Sequence, residues 1–222
     1  MLNVNGNMID KTKFFLGKQK LGGFQLFQSR TEFQEPKIEY IWSRDPDYIR
    51  QYMKVIDRYF DTELNLKDIY KKIDSKDLYS HFYLVLRNNQ VIGGARLSIS
   101  NSFSEYTLPA EKWGIFKYSD VFNDLDLRNN SCAEVGRYAF MPEYRNDPNH
   151  YMNAFRDFQI KMTENKTKYL FLCGSRAMLR IHHRVAKNYF KLVDTRHVDV
   201  STWDDFKHLE FYVSAYENEG VK

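Results

Sequence analysis

Cysteine is scarce in this chain of 222 residues: there are two, Cys132 and Cys173, each inside a strand-like run. Two thiols make no disulfide framework, and small buried side chains are the expectation for both. No C-x-x-C or His-x-x-x-His spacing occurs, so nothing in the pattern points to a bound metal. Neither G-x-G-x-x-G nor G-x-x-x-x-G-K is present, which leaves out the usual nucleotide cradles. No apolar run approaches the length of a signal-peptide core or a membrane span, so the expectation is a cytoplasmic protein without an integral membrane segment. A formal charge of +4 is too small to argue for nucleic acid as the main partner. The distribution of charge says more than its total. Between Glu164 and Asp194 there is no acidic residue, yet Lys166, Lys168, Arg176, Arg180, Arg184, Lys187 and Lys191 all fall there.

What is present is a globular composition, 43% hydrophobic and 16% aromatic, enough to build one substantial core. Residues 1–36 show no sustained period and read as an extended N-terminal arm; residues 37–222 read as one domain. Lys37–Trp42 alternates as a strand, and Asp45-Pro46-Asp47 reads as a cap followed by the first helical residue. Ile49, Tyr52, Met53, Ile56 and Phe60 keep helical spacing to about Asp61, and a shorter helix is predicted over Asn65–Ile73. His81–Leu86, Asn88-Asn89 and Gln90–Ile99 read as a hairpin. Ser100–Asn130 is turn-rich, with one short helix near Tyr118–Leu125. Strand Ala133–Phe140, helix Asn149–Glu164, strand Tyr169–Gly174, helix Arg176–Phe190 and a closing pair, Leu192–Val200 with His208–Ala215, complete the order. The fold class is α/β (α+β): a mixed sheet with helices on both faces.

Two strands carry charge where alternation would place a side chain near the core: Arg96 in Val91–Leu97, and Glu134 with Arg137 in Ala133–Phe140. Buried charge is costly unless it is paired or used. The pattern therefore admits either a salt bridge between neighbouring strands or a site. In an unbroken strand Glu134 and Arg137 point to opposite faces, because their separation is odd. Both line one site only if the strand bulges between them, and Gly136 is the predicted position.

The run of elements resembles the GNAT acyltransferases, and four segments resemble more narrowly the acyl-homoserine-lactone synthases, which make quorum signals from acyl carrier protein and S-adenosylmethionine. These are Asp74-Ser75-Lys76-Asp77 followed by Tyr83, the strand Val91–Leu97, the strand Glu134–Phe140, and the junction Ser175-Arg176-Ala177-Met178-Leu179-Arg180. The resemblance spans roughly residues 45–195 and implies a splayed GNAT-like sheet. One departure is plain: where the family presents an arginine with a phenylalanine four residues on and a tryptophan soon after, this chain has Arg50 and Lys54, and no tryptophan between Trp42 and Trp113.

The resemblance implies an N-acyltransferase. Its donor would be an acyl-phosphopantetheine thioester on acyl carrier protein, its acceptor a small-molecule amine, S-adenosylmethionine first, and no cofactor would stay bound. It also fits the related long-chain N-acyl amino acid synthases, the alternative, and less closely a GNAT enzyme using acyl-CoA. A non-catalytic interaction module on the same scaffold is the reading of another class. An amine attacking a thioester must lose a proton, which makes Glu134 the candidate base, and the oxyanion must meet a donor, expected among the backbone amides of residues 137–141. Arg137 and Arg96 would fix Glu134 or hold an acceptor carboxylate. Asp74 and Asp77 resemble acceptor-binding aspartates; otherwise Asp74 caps a turn and Asp77 is solvated. Arg176, Arg180, Arg184 and Lys187 recur at helical spacing and form one basic face, either a docking surface for an acidic carrier protein or simply solvated. Phe140 and Phe171, with Leu172 and Met178, would surround an acyl tail or serve as core. Ser175 either caps its helix or touches that tail. His182 and His183 read as surface or packing residues.

Overall fold

The structure, a computed structural model, describes residues 37–63, 77, 80–100, 108–112, 116–202 and 210–221. The arm 1–36, the helix expected over 65–73 and the candidate Asp74 lie outside the described residues. The elements run β1 (Ile38–Ser43), α1 (Pro46–Glu63), β2 (His81–Arg87), β3 (Gln90–Ser100), α2 (Pro109–Lys112), α3 (Tyr118–Val121), β4 (Ser131–Phe140), α4 (Pro148–Glu164), β5 (Thr167–Gly174), α5 (Arg176–Ala186), β6 (Lys191–Val198) and β7 (Phe211–Glu217). The expected order is the observed one wherever the chain is described. The turn-rich stretch holds two short helices where one was expected.

Local chemistry sets the boundaries. Asp45 accepts the Asp47 N–H at 2.7 Å, and Pro46 opens α1 where a missing N–H costs nothing. Asp147 does the same for α4, accepting from the Asn149 N–H at 2.9 Å ahead of Pro148. Asn88 and Asn89, with φ of 49° and 64°, make the tight turn between β2 and β3 that asparagine tolerates better than other side-chain-bearing residues.

The seven strands form one sheet in the order β1-β2-β3-β4-β5-β7-β6. Every neighbouring pair is antiparallel except β4 with β5. That parallel pairing runs from Ser131↔Thr167 to Val135↔Leu172 and then stops, while β4 continues to Phe140. The sheet is therefore splayed beyond Val135, leaving one edge of β4 without a partner strand among the described residues. One face packs on α4 and α5 through Ala133, Val135, Leu170, Leu172, Phe155 and Phe158. The other packs on α1 through Tyr52, Ile56, Phe82 and Leu84, and on the α2–α3 segment through Tyr118, Phe122 and Phe171. Burying such side chains contributes roughly 1.5–3 kcal/mol each, which places the principal stability in these two layers. Gly93 is required by close approach, since a Cβ there would lie 2.0 Å from the ring of Phe140. No helix among the described residues is long and apolar enough to cross a membrane.

Candidate active site

The charges sit on the α1 side of the sheet. In β3, Ala95 and Leu97 face the α4–α5 layer, so Arg96 projects the other way. In β4, Ala133 and Val135 face the α4–α5 layer and Glu134 shares the opposite face with Gly136. The strand bulges just after that glycine: Arg96 pairs with Gly136 and Gly94 with Ala139, so two β4 residues oppose one of β3. The residue in left-handed conformation is Arg137, with φ of 53°, rather than Gly136 itself. This corrects the expected position by one residue, and the consequence for alternation is the one required. Tyr138 and Phe140 return to the α4–α5 layer, Ala139 returns to α1, and Arg137 joins Arg96.

Asp77 brings the arginines together. Arg96 Nη1 donates to its Oδ1 at 2.7 Å and Arg137 Nη2 to its Oδ2 at 2.9 Å. All three are buried, at 4, 8 and 4% exposure for Arg96, Arg137 and Asp77. Arg137 also donates to Met53 Sδ at 3.5 Å, and its carbonyl accepts the Tyr52 hydroxyl, which ties the bulge to α1. Asp77 is thus buried rather than solvated. One carboxylate receives a hydrogen bond from each of two guanidiniums.

Glu134, 3% exposed, is held by residues that spacing did not reveal. Its Oε2 accepts the Ala110 N–H at 2.8 Å and the Tyr118 hydroxyl at 2.9 Å. The Tyr118 oxygen lies 3.0 Å from Cys173 Sγ, and with its own proton given to Glu134 it accepts from the thiol. Glu111 clamps this segment, accepting the Leu108 N–H at 3.1 Å and the Tyr118 N–H at 2.9 Å. Phe171 stacks on Tyr118 with ring centroids 4.0 Å apart. Burial pushes the Glu134 carboxyl above the usual carboxylate range, opposed by Arg96 and by the Ala110 and Tyr118 hydrogen bonds. Burial also raises the Tyr118 hydroxyl and the Cys173 thiol well above their ordinary values. A Cβ on Gly136 would lie 3.5 Å from both Glu134 Oε1 and Arg96 Nη2, so the missing side chain leaves the space between them open.

The remaining predicted residues fall elsewhere. Phe140 and Phe171 belong to core clusters on opposite faces, so they do not enclose one tail. Phe140 stacks on His150 with centroids 5.0 Å apart, and Phe171 supports Tyr118. Ser175 caps α5, accepting the Met178 N–H at 3.3 Å. Arg176, Arg180, Arg184 and Lys187 are all exposed along α5, which begins where β5 leaves the split. His182 is buried, not on the surface, and burial pushes its imidazole down to about 4. Among the candidate oxyanion donors, the Met141 N–H is taken by the Ile92 carbonyl at 2.9 Å. Strand alternation then turns the Phe140 N–H toward the edge that β5 has left.

The three-dimensional arrangement has solved relatives. The chain has a GNAT-like fold. It is similar to FeeM, an N-acyl amino acid synthase from uncultured soil microbes, at 11% identity and TM-score 0.54 over 83% of this chain and 91% of that one. It is similar to BjaI, a CoA-dependent acyl-homoserine lactone synthase solved with SAM and isopentyl-CoA, at 13% identity and TM-score 0.57 over 83% and 84%. The acyl-homoserine lactone synthase LasI matches at 13% identity and TM-score 0.52 over 82% and 90%. No protein-family model and no curated protein sequence matches the chain. In GNAT-fold terms, the split between β4 and β5 is the central opening of the sheet, and Glu134 lies on β4 one residue before the pairing ends.

Proposed function

We propose that this protein is an N-acyltransferase that moves a fatty acyl group from an acyl-phosphopantetheine thioester of acyl carrier protein to a small-molecule amine. The observation that carries the reading is Glu134: a buried carboxylate with a raised pKa, aimed across Gly136 at Arg96, beside the opening of a splayed sheet. The amine nitrogen forms the new C–N bond, Glu134 takes the proton that nitrogen loses, and the C–S bond breaks. The sulfur leaves as thiolate and takes up a proton, so thioester and amine become amide and thiol. The Phe140 N–H, which strand alternation turns toward the open edge of β4, is the proposed donor to the oxyanion.

Two acceptors compete. An amino acid, giving an N-acyl amino acid, is one reading, supported by the likeness to an N-acyl amino acid synthase. S-adenosylmethionine, giving an acyl-homoserine lactone, is the second reading, supported by the likeness to a synthase solved with SAM. Incubation with acyl carrier thioesters and each acceptor separates them: methylthioadenosine appears only with S-adenosylmethionine as acceptor, whereas an amino acid acceptor yields acyl amide without any nucleoside. Thiol release from neither mixture, nor from acyl-CoA, would leave the non-catalytic module.

Tyr118 tests the base assignment. Its hydrogen bond lowers the Glu134 pKa, so Tyr118→Phe raises it further, and the acid limb of kcat/KM moves to higher pH. A pH–rate profile with an unmoved acid limb would remove Tyr118 from the site. The basic face of α5 is the proposed docking surface for the acidic carrier. Reversing Arg180 and Arg184 to Glu is expected to raise KM for carrier-borne donor about tenfold with kcat retained, less so at high salt. A KM that does not respond returns that face to solvent.

A further inference from the structure

Past Val135, where β4 loses its pairing with β5, a side-chain contact links β4 to α5 on the α4–α5 face of the sheet. Tyr138 of β4 meets His182 of α5 with ring centroids 5.1 Å apart. Tyr151 of α4 stacks on Tyr138 at 5.0 Å, and Phe155 lies 5.9 Å from the imidazole. In this aromatic setting the Tyr138 hydroxyl and His182 Nδ1 are both shut off from solvent, and neither has a hydrogen-bond partner among the described residues. His182 as a whole is only 4% exposed. Leaving such groups unpaired destabilises a fold, and a ligand that pairs them recovers the loss on binding. Burial pushes the imidazole pKa down to about 4, so near neutral pH the pair offers uncharged hydrogen bonds only.

We propose that Tyr138 and His182 are positioning residues that hold an amide of the pantetheine arm bearing the acyl thioester; this rests on the acyl-transfer reading. An arm borne by a carrier on α5 has to cross the sheet, because Glu134 lies on the α1 side, and the split is the opening beside β4. An amide is neutral, donates one N–H and accepts through its carbonyl, which matches a hydroxyl and a neutral ring nitrogen among aromatic side chains. An alkyl chain offers neither group, so the pair selects the arm over the fatty tail at this point.

The test is titration calorimetry on the full chain with S-hexyl pantetheine, a thioether that cannot transfer an acyl group. Tyr138→Phe and His182→Leu are each expected to weaken its binding about five- to tenfold. His182→Asn, which keeps an amide where Nδ1 stands, should stay within about twofold of the wild type. Tyr138→Phe should also melt at or above the wild-type temperature, since the hydroxyl it removes has no partner among the described residues. A purely structural hydroxyl gives the reverse, a lower melting temperature at unchanged affinity, and that result would overturn the proposal. No binding of the probe, or an affinity unchanged in either Tyr138→Phe or His182→Leu, would do the same. The S-hexyl thioether of coenzyme A identifies the source of the arm: tighter binding than the pantetheine probe marks coenzyme A, and no gain marks a carrier-borne arm. Binding that the variants weaken, without thiol release from hexanoyl pantetheine, keeps this site and refutes the acyl-transfer reading. Thiol release with an affinity that the variants leave unmoved refutes this site alone.

Discussion

Glu134→Gln is expected to slow thiol release from an acyl thioester by about 10²–10⁴-fold, the range a positioned general base contributes. The substitution keeps the shape of the side chain and an oxygen able to accept from Ala110 N–H and Tyr118. What it removes is the proton acceptor. The pH profile of the residual activity should also lose its acid limb. Stability gives an independent reading of the same group. Burial raises the folded-state pKa above that of the unfolded chain, so the carboxylate costs stability as pH rises from the ordinary carboxylate range through the raised value. Below that window the cost is absent, and above it the cost is complete. Melting temperatures across the window should therefore depend less on pH in Glu134→Gln than in the wild type. A variant that turns over at the wild-type rate would dismiss Glu134 as base, whatever its effect on stability.

Asp77→Ala is expected to have the largest effect on folding. It leaves the guanidiniums of Arg96 and Arg137 buried without the carboxylate that both contact. Removing one partner of a buried ion pair typically costs about 3–5 kcal/mol. For a chain of this size each kcal/mol lowers the melting temperature by roughly 2–4 °C. A drop of the order of 10 °C follows, read by thermal denaturation of the purified variant. Asp77→Asn keeps two acceptor lone pairs for the arginines and should cost less. If Asp77→Ala melts with the wild type, the triad is not what holds the β4 bulge against α1.

The layers of the fold were legible because they rest on short-range pattern. Alternation in β4, the Asp45-Pro46 start of α1 and the Asn88-Asn89 turn each express a local preference that the rest of the chain does not oppose. The candidate charges were legible for the same reason, since Arg96, Glu134 and Arg137 interrupt otherwise apolar strands. Tyr118, Ala110 and Cys173 were not. Tyr118 lies in a turn-rich stretch without a period, and Ala110 acts through its backbone N–H, which no side chain advertises. The division of Phe140 and Phe171 between two cores was equally hidden, because an apolar residue in a strand reads the same on either face until neighbouring strands set the register.

By itself the sequence determined the order of the elements, the burial of three charged residues in two central strands, and the acid-free basic helix, because periodicity and composition are local properties. Only the tertiary structure decided which charges meet. Arg137 reaches the face of Glu134 through its own left-handed conformation in a bulge, and Asp77 is drawn from a distant segment to pair with it and with Arg96. Ion pairing across such separations is chosen by the energy of burying charge, a quantity that exists only once the strands have closed around it.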